Sequence, residues 1–376
     1  MIKLSISEKM LFALLRAALN EREPEIACFD SVSPKEWRDC CQLAIRHGVV
    51  ILAWDGINRL SPMLQPPHEL KISWALAVEK YERKYAQYCQ AVCELSEFYR
   101  KHGIQLVLLK GVGLSTYYPI PSHREGGDID IYTCSLYPEK YADKEANALA
   151  DSLVQQQGIE VDTSHNLKHS HFFYKGIPFE NHKTFLDVTQ HELAVKVEAL
   201  LHKCLHPRMV ELVSGGKVYI PSPEFNTIFL VFHAAQHYGA GLALHHICDW
   251  ACLIKQYGLK MPEGLADRHF LRGLKAFTHM CNDYLGTSVP VSGGEKLASE
   301  IMEEILHPFD ERKVPPKMTW NWVKYKLKQY SYIVPMNNSI LHVPLWRNTV
   351  FHDNVKTAIG WKVSSIQKFF LRKQGE

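Results

Sequence analysis

One stretch of the sequence, residues 106–133, constrains the fold more than any other. It begins with an apolar run over residues 106–109, which ends at Lys110-Gly111. After a turn-rich segment, Gly126-Gly127 leads into acidic and apolar residues that alternate over 128–131. A strand has a period of two residues, so the two acidic side chains of this pattern point to the same face. The stretch therefore predicts a buried strand, a glycine-bearing turn and a second strand that presents paired carboxylates.

The paired acids, Asp128 and Asp130, predict a metal site. Two carboxylates side by side repel each other unless a cation lies between them. Mg²⁺ suits such a position because it takes oxygen ligands and keeps coordination positions for substrate phosphates. The layout is that of a metal-dependent phosphoryl-transfer site, in which the metal neutralises the charge of the transferred group.

Several short motifs in and around this stretch resemble those of a known family. These motifs are Leu109-Lys110-Gly111, Tyr117-Tyr118-Pro119, Arg124 and Gly127-Asp128-Ile129-Asp130. Together they resemble the uncharacterised nucleotidyltransferase family of the DNA polymerase beta-like superfamily. The resemblance implies that Asp128 and Asp130 bind two Mg²⁺ ions, and that Lys110 and Gly111 hold the terminal phosphates of a nucleoside triphosphate. The sequence departs from the broader superfamily at Val112, where that superfamily has Gly or Ser, and in the long spacing from Gly111 to Asp128.

A third carboxylate is expected on a later strand. Residues 168–174 and 178–187 read as two strands joined by a hairpin turn at Lys175-Gly176. In the resembled family an acid-x-His pattern occupies this place, and Glu180 and His182 match it. The resemblance thus implies that Glu180 is the third metal ligand, and by period two His182 shares its face and contacts phosphate or the attacking group. Asp187 is the rival third carboxylate.

Other candidate residues keep two interpretations open. Arg124 either neutralises phosphate charge or pairs with Glu125 or a residue of a neighbouring domain. Asp249, an acid within an apolar helical pattern, either bonds a neighbouring helix or contributes to the site. Cys248 and Cys252 lie four residues apart beside two histidines, a spacing that fits a zinc site but is also common in buried helices.

Hydrophobic periodicity predicts three regions in an α+β protein. Residues 1–102 and 222–376 show helical spacing, whereas residues 103–221 alternate strands and helices. The resemblance implies that the middle region is a polymerase-beta-like nucleotidyltransferase core, a small mixed sheet with helices, and the helical spacing predicts helical regions flanking it at both ends. Residues 362–373 are basic and aromatic, and they predict a helix that packs on its own domain or lies on an anionic membrane.

Bulk composition excludes few functions. The chain has 376 residues, 46% of them hydrophobic and 22% charged, which is ordinary globular composition. The net charge of +3 is too small to indicate a nucleic-acid partner by itself. Ten cysteines without a C-x-x-C pair, no apparent signal peptide and no transmembrane segment predict a cytoplasmic protein with reduced thiols.

The function predicted from these motifs is Mg²⁺-dependent transfer of a nucleotidyl group from a nucleoside triphosphate to an acceptor hydroxyl. The acceptor is unknown and is a small molecule, a protein or an RNA. One alternative, favoured by Val112, is a catalytically silent protein that keeps the fold as a scaffold or partner-binding module. Another is an antitoxin-like transferase that modifies a protein or an RNA, although the low net charge argues against a large RNA-binding groove. Oligomeric state is not predicted.

Overall fold

The computed structural model describes residues 2–139, 142–163, 168–188, 192–260, 265, 267–308, 336 and 339–342. The helices of these residues are α1 (Ile6–Asn20), α2 (Pro34–Arg46), α3 (Val50–Ile57), α4 (His68–Lys101), α5 (Val112–Ser115), α6 (Asp143–Gln156), α7 (Glu192–Cys204), α8 (Pro223–Gly241), α9 (Leu244–Tyr257), α10 (Arg268–Met280) and α11 (Glu295–Leu306). The strands are β1 (Ile104–Leu108), β2 (Ile129–Ser135), β3 (Val161–Asp162), β4 (His169–Tyr174), β5 (Ile177–His182), β6 (Arg208–Glu211) and β7 (Lys217–Ile220). The helix predicted over residues 362–373 lies outside the described residues.

The described strands form one mixed sheet in the order β3-β4-β5-β2-β1-β7-β6. β1 and β2 pair antiparallel, as do β4 and β5, whereas β2 runs parallel to β5 and β1 parallel to β7. The hairpin predicted at Lys175-Gly176 is present, and both of its residues have positive φ angles, 52° and 75°. The predicted α+β fold is confirmed. The sheet order places the strand with the predicted third acid directly beside the strand with the paired acids.

Local capping residues fix several helix boundaries. Ser33 caps α2 through a reciprocal pair of hydrogen bonds with Glu36, and Pro34 occupies the first helical position. Ser222 caps α8 through its hydroxyl, which accepts a hydrogen bond from the backbone N–H of Phe225. After α4, Gly103 has a φ of +76°, which allows the chain to reverse into β1.

The sheet is covered on both faces near β2. Asn147 of α6 hydrogen-bonds Thr133 on one face of β2. On the opposite face, Phe185 packs against Tyr132, with ring centroids 4.6 Å apart, and against Phe225 of α8 at 4.8 Å. This second face carries the alternate residues of β2, among them the buried Asp130. α7 and α8 therefore leave only part of that face open, next to Asp130.

The N-terminal and C-terminal helices pack against each other. Phe12 of α1 lies 5.0 Å from Tyr284, measured between ring centroids. Asn20 donates a hydrogen bond to the carbonyl of Leu285, and Arg46 donates to the carbonyl of Leu306. The two flanking helical segments thus support each other as well as the sheet, and the three-part division of the chain stays a prediction.

Two further predictions concern the state of the cysteines and the presence of a membrane-spanning helix. All ten cysteines are free thiols, as the sequence predicts. Cys248 and Cys252 are buried in α9, and the metal-ligand cluster that the described residues gather lies elsewhere, around Glu180. In the part of the chain that the structure describes, we find no helix with the length and hydropathy needed to cross a membrane.

Candidate active site

The parallel pairing of β2 with β5 brings the predicted acids together. Asp130 is the register partner of Glu180, so their side chains emerge side by side from adjacent strands. Asp128 precedes the first residue of β2 and is exposed, whereas Asp130 is buried. All three acids line one cleft of about 590 Å³. A volume of this size lies within the range of small-molecule sites.

Asp130 is held as a carboxylate by two basic neighbours. Its Oδ1 lies 2.8 Å from Nζ of Lys110 and 2.9 Å from Nε2 of His182. Burial alone would raise the pKa of Asp130, but the charge of Lys110 and the hydrogen bond from His182 hold this pKa well below its usual range. The acid is therefore ionised and already faces a cation.

The three acids form a donor set that fits Mg²⁺. Partial burial and repulsion from Glu180 and Asp130 raise the pKa of Asp128, so this carboxylate experiences the negative charge of its neighbours. Burial would also raise the pKa of Glu180, but the neighbouring His182 lowers it. Carboxylate oxygens on neighbouring strands, one of them exposed to the cleft, suit a hard divalent cation. Asp187, the rival acid, has its backbone N–H bonded to Gln236 and does not line the cleft.

A glycine turn follows β1 and lies against the acids. Gly111 has a φ of +56° and a ψ of −115°, a conformation that side chains disfavour. A Cβ added here would stand 3.3 Å from the carbonyl oxygen of Asp128. The turn therefore brings the end of β1 close to the start of β2. Lys110 reaches from this turn to Asp130, and its Nζ is also 3.3 Å from Nε2 of His233. Val112, the departure from the superfamily, is buried.

Arg124 makes a buried ion pair across the cleft. Its Nε and Nη2 donate to the two carboxylate oxygens of Asp249 at 3.1 and 2.8 Å, and its Nη1 donates to the carbonyl of Glu125 at 2.9 Å. Tyr118 donates a further hydrogen bond to Asp249 at 2.7 Å. Burial would lower the pKa of Arg124, but Asp249 raises it. Of the two sequence interpretations, the structure shows pairing with a neighbouring helix, and contact with phosphate stays a prediction.

The residue before Arg124 anchors the same loop to the N-terminal helices. His123 donates from Nδ1 to Asp55 at 2.8 Å and from Nε2 to Glu82 at 2.9 Å. Burial would lower the pKa of His123, but the hydrogen bonds to Asp55 and Glu82 outweigh it and raise this pKa. The loop that leads to Asp128 is thus tied to α3 and α4 by His123 and to α9 by Arg124.

Sequence reasoning missed most of the cleft wall. The wall includes Arg46 and Lys84 from the N-terminal helices and His233, His245 and His246 from α8 and α9. Lys168, just before β4, was also missed, because it belongs to no motif. Burial and then the charge of Lys110 lower the pKa of Lys168 to about 8, while Asp130 and Glu180 act in the opposite direction. The H-x3-H spacing of His233 and His237 is a signal in the sequence that could have pointed to His233.

Comparisons with known proteins identify the family of the chain. The profile of the family described as "Uncharacterised nucleotidyltransferase" matches residues 33–286. The chain belongs to this family. Among solved structures, one match is a crystal structure of an antigenic nucleotidyltransferase-like protein from Paracoccidioides brasiliensis, with 12% sequence identity and a TM-score of 0.37 over 54% of this chain and 94% of that chain. The search of curated proteins found no match.

Proposed function

We propose that this protein is a metal-dependent nucleotidyltransferase that moves a nucleoside monophosphate from a nucleoside triphosphate to an acceptor hydroxyl. One observation carries the proposal: Asp128, Asp130 and Glu180 converge on one cleft that also holds the Gly111 turn and Lys110. These three carboxylates, next to the flexible side chain of Lys110 and the tight turn at Gly111, suit Mg²⁺ together with a triphosphate.

Each side chain has a proposed role that follows from its position. Asp128 and Asp130 would hold two Mg²⁺ ions together with Glu180, whose place opposite Asp130 makes it the preferred third ligand over Asp187. Lys110 would hold the β- and γ-phosphates, because its Nζ can leave Asp130 when another cation neutralises that acid. Gly111 would let the phosphates approach the backbone. His182 would orient Asp130, to which it is bonded.

The reaction we propose is an in-line displacement at the α-phosphorus. The acceptor oxygen forms a bond to this phosphorus, the bond from phosphorus to the bridging oxygen breaks, and pyrophosphate leaves with the bonding electron pair. The acceptor proton passes to water in the open cleft. When bound, the metal ions supply charge neutralisation at the phosphates and lower the pKa of the attacking hydroxyl.

The walls of the cleft support a substrate larger than the triphosphate. Basic Arg46 and Lys84 of the N-terminal helices and His233, His245 and His246 of α8 and α9 line the cleft beyond the three acids. We place the acceptor against these residues, beside Glu180. The chemistry of this opening is compatible with a small molecule, a protein side chain or the end of an RNA.

The proposal is tested by measuring pyrophosphate release. Each of the four common nucleoside triphosphates is incubated with the protein, Mg²⁺ and pools of hydroxyl-bearing small molecules, proteins and RNAs. We expect release with at least one pool, and a rate at least about a thousandfold lower with Asp130→Asn, which equals about 4 kcal/mol of transition-state stabilisation. If no pool leads to pyrophosphate release, the result would favour the alternative of a catalytically silent scaffold, which Val112 suggests.

A further inference from the structure

A histidine from the strand next to β5 joins the cluster around Glu180. β4 and β5 pair so that His169 lies opposite His182 and His171 lies opposite Glu180. Oε2 of Glu180 is 3.4 Å from Nδ1 of His169 and 3.7 Å from Nε2 of His182. One ligand atom from each of His169, Glu180 and His182 falls within 4.8 Å of the others. We infer that His169, Glu180 and His182 form a site for a transition-metal dication, distinct in chemistry from an Mg²⁺ site built of carboxylates.

The hydrogen bonds of His182 support this inference. Its Nδ1 lies 3.1 Å from the backbone carbonyl of Thr184, which can only accept a hydrogen bond. A neutral ring that donates there carries its lone pair on Nε2. Nε2 faces Asp130 Oδ1 at 2.9 Å and Glu180 at 3.7 Å, so it is surrounded by acceptors in a fully buried position. A metal ion at this point would bond Nε2 together with the neighbouring carboxylate oxygen of Glu180. A backbone carbonyl that fixes the far nitrogen of a ligating imidazole is a common feature of protein metal sites.

The donor types select the class of ion. Mg²⁺ takes oxygen ligands and is rarely bound by imidazole, whereas Zn²⁺, Fe²⁺ and related ions bind imidazole and carboxylate together. Metal–ligand bonds of about 2.0–2.2 Å place two ligands of one ion at most about 4.4 Å apart. Since the three donor atoms lie within 4.8 Å of one another, small side-chain rotations bring them into a coordination sphere.

The position of this site divides the acids between two kinds of ion. Glu180 points between the two histidines, whereas Asp128 lies on the exposed side, toward the Gly111 turn. The transition-metal ion would replace the second of the two Mg²⁺ ions of the proposed function, the one held by Glu180 on the acceptor side of the cleft, and Mg²⁺ with the triphosphate would occupy the Asp128 side. The catalytic role of the ion rests on the proposed function, but its binding does not, because no nucleotide contributes a ligand.

The experiment is a titration of the metal-free full-length protein with Co²⁺ in the absence of nucleotide. Co²⁺ serves as the probe because its visible absorption reports nitrogen ligands and coordination number. We expect one equivalent to bind, with an absorption spectrum of mixed imidazole and carboxylate ligation that persists in millimolar Mg²⁺. Zn²⁺ should displace Co²⁺ stoichiometrically.

The variants separate this site from its surroundings. His169→Ala is the principal variant, because His169 is less buried than His182 on the same face and its loss leaves the buried His182 in place; Co²⁺ affinity should fall at least about tenfold. His102→Ala, an exposed histidine just after α4, is the control, and its Co²⁺ affinity should equal that of the wild type. Circular dichroism and thermal melting establish that each variant is folded, and Glu180→Gln provides a second test should His169→Ala fail to fold.

Failure of the inference is distinct from failure of the proposed function. Asp128→Asn should keep the Co²⁺ spectrum and lose Mg²⁺-dependent nucleotide binding. A weak, octahedral all-oxygen spectrum, complete displacement by Mg²⁺, or equal Co²⁺ affinities for wild type, His169→Ala and Glu180→Gln would overturn the transition-metal site, whether or not nucleotide binds.

Discussion

The two faces of the β2–β5 strand pair carry polar residues of similar type but use them differently. On one face, the side-chain oxygen of Asn181 accepts hydrogen bonds from Thr133 and Asn147, each at 3.0 Å, and its amide donates to Asp151 at 2.9 Å. Ser170 donates to the same Asp151 at 2.8 Å. On the other face, the neighbouring Glu180 belongs to a group of acids at the edge of a cleft. Asn181 thus contributes to the structure, whereas the residue before it, Glu180, contributes to the proposed function.

The difference lies in the balance of donors and acceptors. The face with Asn181 is closed by α6, and each buried polar group there meets a partner from the same network. On the face with Glu180 the acids repel one another, and partial burial together with this repulsion raises the pKa of Asp128. Excess negative charge beside an opening therefore distinguishes the candidate site, whereas polarity and burial alone do not.

The largest stability effect is expected at the ion pair between Arg124 and Asp249, which is a structural element within the cleft wall. Asp249→Ala leaves the buried guanidinium of Arg124 uncompensated and should lower the free energy of unfolding by about 3–5 kcal/mol. Denaturant unfolding measures this change. The double variant Arg124→Met/Asp249→Leu should recover part of the loss, because it removes both charges. A double variant that is no more stable than Asp249→Ala would show that the charges are not coupled.

A smaller loss is expected from the closed face. Asn147→Ala removes an amide that lies within hydrogen-bond distance of Thr133, Asn181 and the carbonyl of His182, so it should cost about 3 kcal/mol of unfolding free energy. Glu180→Gln, on the open face, should change stability by about 1 kcal/mol or less. Thermal and denaturant melting of both variants sharpens the comparison, since equal losses would mean that the open face is as structural as the closed one.

The sequence was sufficient to predict the acids but not all of their partners. Alternation predicted that Asp128 and Asp130 share a face, because side chains on strands follow a local rule. The family resemblance, and not alternation, predicted the later strand with Glu180, which the structure pairs with β2. The contacts of Arg124 with Asp249 and of Lys110 with His233 span more than a hundred residues, and no local pattern specifies them. The sheet order, with β7 beside β1, is likewise set by long-range packing.

The next effect concerns Lys110, which links the Gly111 turn to the open face. Because Nζ of Lys110 and a metal ion would compete for the same oxygen of Asp130, Lys110→Met should bind Mg²⁺ more tightly in the absence of nucleotide. The same variant should bind nucleoside triphosphate about tenfold more weakly, a loss of about 1.4 kcal/mol, because a phosphate contact is removed. Calorimetry measures both affinities, with exposed Lys175→Met as the control. Unchanged affinities for metal and nucleotide would place Lys110 outside the binding machinery.

The smallest effect is a pH dependence of stability at His123, which joins the loop before Asp128 to α3 and α4. The pKa of His123 is raised above its ordinary value of 6.5, so the protonated ring stabilises the folded protein. This contribution is fully present below about pH 6.5 and is lost as the pH rises through the raised pKa, with a change on the order of 1 kcal/mol. His123→Gln should flatten the curve of unfolding free energy against pH over this window. A wild-type curve that rises with pH there, or one that His123→Gln leaves unchanged, would contradict this assignment.

The most direct test of the open face as a catalytic site is calorimetric binding of each nucleoside triphosphate with and without Mg²⁺. The wild type is compared with Asp128→Ala/Asp130→Ala and with Asn147→Ala, the matched change on the closed face. We predict Mg²⁺-dependent binding of at least one nucleotide to the wild type and to folded Asn147→Ala, and loss of this binding in the double variant. Binding that is independent of Mg²⁺, or that survives loss of both acids, would contradict the account.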